Sequence, residues 1–405
     1  MKKQVLILGG GTVSHISNHL ALCVPAYGKT AMELGQIARQ KFTECDVNVA
    51  LSRLAGDPLS NFETNEDLQK YVNHLKGLAS TKVIFFNVAC VDFKVEGGGK
   101  YKPRASSKER KIIIALPDNK IIKTIRDGRK DIFLVGFKST CGAEDQEMYL
   151  KGLQLCKESS VNLVLVNDTI RHMNMIVTPE EAAYHVTADR TNVLTNLVEM
   201  AWYRSQLTFT QSTVVDGSPV PWDDVSIPVS LRTVVDYCRG ANAYKVFNGG
   251  TVGHFAFKLA NDEFLTSIRR SDFNKLHEIG LVRVKTEGPD TVLAFGAKPS
   301  VGGQSQRTVF RDHEGYDCIV HFHCPLREIH PDKIPIVSQR EVECGSHQCG
   351  ENTSINLEEF GNLKCVMLDN HGPNILFKKD IDPQEVINFI EANFDLSKKT
   401  GGYHL

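Results

Sequence analysis

Two histidines one residue apart, His321-Phe322-His323, are the residues of this chain best suited by type and spacing to hold a metal ion. On a β-strand, side chains i and i+2 leave the same face, about 6–7 Å apart at the backbone. Two imidazoles so placed can share one divalent ion once a third ligand arrives. A third histidine follows a further apolar run, in Met367-Leu368-Asp369-Asn370-His371-Gly372, where the glycine allows close backbone approach. Imidazole donors suit zinc first among the divalent ions. A different chemistry is suggested near the amino terminus. Gly9-Gly10-Gly11-Thr12 directly follows the apolar run Gln4–Leu8, and a glycine turn after a strand lets backbone N–H groups approach a phosphate. It is not a GxGxxG turn, and Gly28-Lys29-Thr30 lacks the leading glycine of a P-loop.

The elements that must position these residues can be read from the apolar pattern. Buried-strand runs are expected at Gln4–Leu8, Lys82–Val91, Asp131–Phe137 and Val161–Val166, with helices over Thr30–Phe42, Glu147–Glu158 and Thr191–Tyr203. Alternation of short apolar strands with helices predicts a mostly parallel sheet covered on both faces. Ligands of such sheets sit beyond the carboxyl ends of the strands, where Gly9–Thr12, Asp92 and Asn167-Asp168 fall. Residues 206–229, rich in Thr, Ser, Pro and Asp, are expected to link two domains, 1–205 and 230–405. Beyond them come a helix at Ser230–Ala241 and short β-like pieces at His254–Leu259, Glu263–Ser267, Leu281–Lys285 and Thr291–Phe295. Turn residues between these pieces predict antiparallel pairing. Arg307–Glu314 reads as helix, Cys318–Phe322 and Lys364–Leu368 as strands, and Pro383–Ala392 as a helix capped by Asp382.

Composition narrows the function classes. Lysine and arginine number 47 against 48 acidic residues, a formal charge of −1, which argues against a protein that coats nucleic acid. A local basic pocket for a small anion remains compatible with it. Hydrophobic residues at 41% and charged residues at 23% suit a folded chain rather than a disordered one. No run approaches the roughly 18–20 apolar residues of a membrane span, and Val5–Leu8 is too short for a signal-peptide core. Eleven cysteines without a CxxC pair read as reduced, mostly buried thiols. The expected location is the cytoplasm.

In the first half, His15-Ile16-Ser17-Asn18-His19, Gly28-Lys29, Ala89-Cys90-Val91-Asp92-Phe93, the Lys-rich 108–111 stretch, Val135-Gly136-Phe137-Lys138 and Leu165-Val166-Asn167-Asp168 occur in that order. This order resembles the phosphopantothenoylcysteine synthetase family over roughly residues 3–203. The resemblance implies joining of a carboxylate to an amine after nucleotide activation. It implies that Gly10, Gly11 and Thr12 line the cofactor turn, with Asn167 and Asp168 at a further strand end. Asp92 would read the base, Phe137 would line its pocket, Lys108 would contact phosphate and Asn18 would hold the activated acyl group. These residue types suit those tasks: a carboxylate accepts from a base amino group, lysine is a point charge for phosphate, and an amide donates to developing oxyanion charge. Two departures stand out. Leu20–Tyr27 opens the family's compact loop, and Ser159 and Ser160 occupy the place of a phosphate-binding lysine.

In the second half, Gly249-Gly250-Thr251-Val252-Gly253-His254, Lys298-Pro299-Ser300, Val320-His321-Phe322-His323-Cys324-Pro325 and Asn370-His371-Gly372 resemble the class II aldolase/adducin family over about 237–394. The resemblance implies His321, His323 and His371 as metal ligands, with the ion acting as a Lewis acid in carbon–carbon cleavage or epimerisation. Here too there are departures. The family's acid falls at Gly302, and His254 replaces its asparagine. Gln304 cannot titrate in place of the acid. His254 is therefore the expected acid/base, with an ordinary pKa near 6.5, ahead of Glu343, His347 and Tyr403. Arg269 and Arg270 stand near the family's phosphate-binding turn.

Together these readings predict an α/β chain: a Rossmann-like, mostly parallel sheet domain followed by an α+β class II aldolase-like domain. The expected function is a bifunctional small-molecule enzyme, ligase-like in the first half and lyase- or isomerase-like in the second. The expected cofactors are Zn2+ or another divalent metal, and a nucleotide such as CTP or ATP with or without Mg2+. The expected partners are a phosphorylated or carboxylated substrate and further copies of the chain, with no nucleic acid and no membrane. The alternatives are a non-catalytic sensor or scaffold that keeps both folds, or activity in the metal domain alone.

Overall fold

A computed structural model describes residues 2–405 except 58, 105, 107, 109 and 301–303. The chain divides into two compact units, Met1–Ser205 and Gln206–Leu405.

The strands of the first unit, in chain order, are β1 (Gln4–Gly11), β2 (Val13–Ser17), β3 (Leu20–Cys23), β4 (Asp46–Leu51), β5 (Thr81–Ala89), β6 (Phe93–Val95), β7 (Ala115–Pro117), β8 (Phe133–Thr140), β9 (Leu163–Asp168), β10 (Asn174–Val177) and β11 (Ala183–Thr187). Its helices are α1 (Lys29–Lys41), α2 (Asn65–Gly77), α3 (Asp145–Ser159) and α4 (Arg190–Arg204). A seven-stranded sheet runs β11-β10-β9-β8-β5-β1-β4. It is parallel from β9 to β4, and β10 and β11 add an antiparallel edge. Both faces are buried, which explains the unbroken apolar runs. Ile7, Phe85, Val135 and Leu165 pack beneath α1 and α4. Val166 and Val177 meet α3 on the other face, close enough that a Cβ on Gly152 would lie 2.6 Å from Val166. Two hairpins stand off the sheet: β2–β3, with Asn18 in its turn, and β6–β7, whose long loop carries Lys108.

The second unit holds β12 (Gln211–Val215), β13 (Val246–Phe247), β14 (Gly250–Thr251), β15 (His254–Ala260), β16 (Glu263–Thr266), β17 (Val282–Thr286), β18 (Thr291–Phe295), β19 (Cys318–His321), β20 (Ile336–Val337), β21 (Glu358–Phe360), β22 (Leu363–Leu368) and β23 (Gly372–Phe377). Its helices are α5 (Val229–Gly240), α6 (Leu276–Ile279), α7 (Gln304–Asp312), α8 (His347–Ile355) and α9 (Pro383–Asn393). A ten-stranded sheet runs β12-β18-β17-β16-β15-β19-β23-β22-β20, with β21 also on β22. Most pairs are antiparallel. One face packs Phe255, Val320 and Phe377 against α5 and α9. The other packs Ala256, Ile319 and Leu376 against Val309 and Phe310 of α7. Strand alternation therefore turns His254 and His321 toward the α7 face.

Residues 206–229, expected as a linker, are built into the second unit. β12 pairs with β18 in parallel, Val220 bridges Leu281, and Trp222 is fully buried against Phe255, ring centroids 5.5 Å apart. Burying one indole removes 150–250 Å² of surface from water. That outweighs the loop-like composition around it. Among the described residues, no helix is long and apolar enough to cross a membrane.

Candidate metal centre and strand-end site

The three histidines come together from two strand ends. β15 and β19 pair with His254 opposite His321, and β19 pairs with β23 as far as His321 opposite Asn374. His323 lies two residues on and faces the same way. The β22–β23 turn then delivers His371, with Asn370 at a φ of +55°. Ligand nitrogens of His321, His323 and His371 all lie within 4.8 Å of one another, and all three residues are buried. Ring centroids are 4.6 Å apart for His321–His371 and His323–His371, and 5.0 Å for His321–His323.

His321 carries the clearest sign of a ligand role. Its Nδ1–H donates to the Pro373 carbonyl at 2.8 Å, which puts the proton on Nδ1 and the lone pair on Nε2. Nε2 is buried with no hydrogen-bond partner. Such an orphaned acceptor is costly unless something occupies it, and fixing one ring nitrogen on a carbonyl is how ligating histidines are oriented. Burial, with the neighbouring His371, His254 and His323, holds the ring's pKa well below its usual value, so it is neutral. The donor set and its burial therefore fit a divalent ion.

His254 lies beside this cluster, its ring 4.7 Å from that of His321. Its pKa departs from the sequence expectation. Burial first, and His323 second, push it down to about 3; a free imidazole would titrate near neutrality only if it were hydrated. The ring is uncharged at working pH and does not resemble a poised base. Its Nδ1 accepts from Gln306 Nε2 at 2.9 Å. Gln306 is fully buried on α7 and was not singled out in the sequence. The available signal was a polar side chain sharing the apolar face of Val309 and Phe310. The Gly302 position lies outside the described residues, as does the side chain of Gln304. Ile268 bridges Pro299 and Ser300 N–H donates to Ser267 O at 2.9 Å, which ties the Lys298-Pro299-Ser300 segment to the end of β16. Ser267 Oγ is buried there without a partner. Arg269 and Arg270 are exposed. Of the other candidates, His347 bonds Thr210 and faces Asp290, while Glu343 and Tyr403 are part-buried.

In the first unit the strand ends carry the candidates. Gly10 has a φ of +93°, and a Cβ there would lie 2.2 Å from Ser52 Oγ; one on Gly11 would lie 1.9 Å from Val24 O. These glycines let β1 pass neighbouring chain. The Thr12 hydroxyl is fully buried, donates to Asn65 Oδ1 at 2.7 Å and accepts from Val91 N–H at 2.9 Å. These bonds of its hydroxyl hold the turn together. Asn65, also missed in the sequence, donates to Val91 O and to Asp118 Oδ2, both at 2.8 Å. Asp118 N–H in turn donates to Asp92 O at 2.9 Å. One buried amide thus joins the glycine turn to the Asp92 strand end. The Asp92 side chain is exposed and Phe137 is part-buried. Asn167, part-buried, accepts from Ser139.

Asp168 serves the loops. It accepts from the Thr140 hydroxyl and from the N–H groups of Gly142, Ala143, Ile170 and Arg171. Burial acts to raise its pKa, but these bonds outweigh it and hold the carboxyl well below its usual value. Asn18 N–H donates to Lys102 O at 3.0 Å, which ties the β2–β3 turn to the Lys-rich loop. Lys108 is exposed on that loop, its backbone N–H on Ser106 Oγ. Ser159 is buried at the end of α3.

Residues 1–200 match the family model for the DNA/pantothenate metabolism flavoprotein C-terminal domain, and residues 232–379 the model for the class II aldolase and adducin N-terminal domain. The coenzyme A biosynthesis bifunctional protein of Methanocaldococcus jannaschii is 24% identical over 172 residues, 42% of this chain and 41% of that protein. The chain therefore spans about two fifths of the length of that curated relative. Among solved structures, a DNA/pantothenate metabolism flavoprotein from Streptococcus pneumoniae is 14% identical, covering 49% of this chain and 97% of that one at a TM-score of 0.41. An L-fuculose 1-phosphate aldolase is 13% identical, covering 42% of this chain and 84% of that one at a TM-score of 0.31. The N-terminal half resembles the phosphopantothenoylcysteine synthetase (DNA/pantothenate metabolism flavoprotein) family and the C-terminal half the class II aldolase/adducin family, within one chain.

Proposed function

We propose that the chain is a bifunctional small-molecule enzyme, a nucleotide-using carboxylate ligase in its first unit and a metal-dependent lyase or isomerase in its second. The observation that carries the second half is the buried, unpartnered Nε2 of His321, in a cluster where the ligand nitrogens of His321, His323 and His371 lie within 4.8 Å of one another. These three residues would hold one divalent ion, zinc first. When bound, the ion supplies Lewis-acid polarisation of a substrate oxygen. His321 orients the site through Pro373. His254, with Gln306 donating to its Nδ1, keeps its proton on Nε2 and offers a neutral N–H donor to an oxygen of the substrate. Ser267 Oγ and the neighbouring Arg269 and Arg270 supply polar contacts for a phosphate or carboxylate.

In the first unit, Asp92 would read the base edge of CTP or ATP, Phe137 would pack against the base, and Lys108 would contact phosphate. Asn18, tied to the Lys-rich loop, would donate to the activated carboxylate. Gly10 and Gly11 shape the turn, with Thr12 behind it. Coenzyme A biosynthesis in the curated relative supports a pantothenate-type carboxylate as the acid joined to an amine. A second reading, a ligand-binding protein without turnover in its second unit, is favoured by Gly302 standing at the family's acid position and by the neutral state of His254. Elemental analysis of the purified full chain tests the metal, with one ion per chain expected. Calorimetric titration with CTP and ATP tests the first unit. Absence of metal after zinc loading, or no binding of either nucleotide at millimolar concentration, removes the corresponding half. Turnover of sugar phosphates separates enzyme from binder. A wild type that is inert where Gly302→Glu turns over favours the second reading.

A further inference from the structure

We propose that Thr400 is a positioning residue that couples the carboxyl-terminal strap of the second unit to two of the metal-binding histidines; this rests on the metal reading above. After α9 the chain turns back along the segment that follows β19. Phe394 is fully buried and bridges Leu326, and Asp395 N–H donates to Pro325 O at 3.0 Å. Lys245 Nζ, on a part of the unit remote in sequence, donates to Leu396 O at 2.7 Å. The strap is thus anchored before it reaches the histidines.

There, Thr400 makes two bonds with separate functions. Its N–H donates to the His323 carbonyl at 3.1 Å, and its Oγ1–H donates to the His371 carbonyl at 2.9 Å. Thr400 is 2% exposed, so neither carbonyl has water as a ready substitute partner. The position matters because the β19–β23 ladder ends at His321 and Asn374. His323 lies two residues beyond the last pair of β19, while His371 sits in the tight β22–β23 turn, next to the Leu368–Gly372 pair and with its N–H on Leu368 O at 3.0 Å. One residue from a third segment, through its backbone N–H and its hydroxyl, spans them. Metal ligation tolerates only about 0.2 Å of error in ligand distance, so a bridge that fixes two ligand backbones relative to each other acts on affinity directly.

The probe is cobalt(II) alone, added to the metal-free full chain. Its visible bands report ligand geometry, and chelator competition gives affinity. Thr400→Val keeps the shape and the N–H bond but removes the hydroxyl and its bond to the His371 carbonyl. Affinity should fall on the order of ten-fold, the lower end of the range for groups behind metal ligands, with altered bands. Thr400→Ser should restore both, which a role confined to packing of the methyl group would not do. Thr400→Ala removes the same hydroxyl in a smaller volume and serves if the valine variant does not fold. Wild-type affinity and bands in Thr400→Val or Thr400→Ala would overturn the proposal while leaving the metal centre intact. A wild-type chain that binds no cobalt(II) would overturn the metal reading and the role of Thr400 with it.

Discussion

Gly372 stands where β23 begins, with a φ of +151° and the Phe322 backbone directly against it. A Cβ at this position would lie 2.0 Å from Phe322 O, 3.0 Å from Phe322 C and 3.1 Å from His323 Cα. Non-bonded carbon and oxygen sit about 3.3–3.6 Å apart, so Gly372→Ala must open the gap between β23 and the end of β19 by more than about 1 Å. The obstructing atoms are backbone, and no rotamer change relieves them. Backbone strain for a side chain in this conformation adds about 1–3 kcal/mol, and overpacking adds about 1–3 kcal/mol. Together the variant should lose about 2–6 kcal/mol of unfolding free energy. The same displacement moves His371 away from His323 by several times the roughly 0.2 Å that a metal site tolerates, and zinc affinity should fall on the order of 100-fold. Chemical denaturation of metal-free protein reads the first quantity, and zinc competition against a chromophoric chelator reads the second. Full stability together with wild-type zinc affinity in Gly372→Ala would show that the close approach of Gly372 to Phe322 does not set the site.

Removing ligands directly should be more severe: His321→Ala and His323→Ala should each lose bound zinc by elemental analysis, and full occupancy in the double variant would sink the ligand assignment. Asn65→Ala removes one buried bond to Thr12 and two to Val91 and Asp118. At about 1 kcal/mol each it should cost about 3 kcal/mol of stability and weaken nucleotide binding, checked by denaturation and calorimetry; an unchanged midpoint would argue against its role as a hub. Asp92→Asn should shift preference between CTP and ATP, whereas Lys108→Ala should weaken both alike, and calorimetry that finds equal losses in both variants would reject the division of labour. Asp168 has a folded pKa below the usual 3.8, so the unfolded chain binds its proton first on acidification. Its stabilisation is present above pH 4 and is lost as pH falls below that toward the folded value. Melting temperature should therefore drop over that acid range in wild type and less steeply in Asp168→Asn; parallel slopes would assign the acid sensitivity elsewhere.

Local sequence determined the pieces whose order depends only on near neighbours. The unbroken apolar runs specified strands buried on both faces, and β1, β5, β8 and β9 follow them within a few residues. Alternation along Cys318–His321 turned His321 to the α7 face, and the i, i+2 spacing brought His323, just past the strand end, beside it. Asp382 before Pro383 marked a helix start, and its side chain accepts from Gln384 N–H. Two further local signals are legible: the capping box of Thr64 and Asp67 announces α2, and the alternating Asp-Val-Asn-Val pattern announces the edge strand β4.

What only the tertiary structure decided are the consequences of which segments meet. β23 had to pair with β19 before His371 could reach His323, and α7 had to cover that face before Gln306 could reach His254. Burial on that face holds His254 near a pKa of 3, where its residue type alone suggested 6.5. Asn65, Thr400 and Trp222 likewise acquired their tasks from partners remote in sequence. Periodicity and turn chemistry act over a few residues, so they are written locally. Dielectric, burial and hydrogen-bond partnership depend on long-range packing, and no spacing along the chain records them.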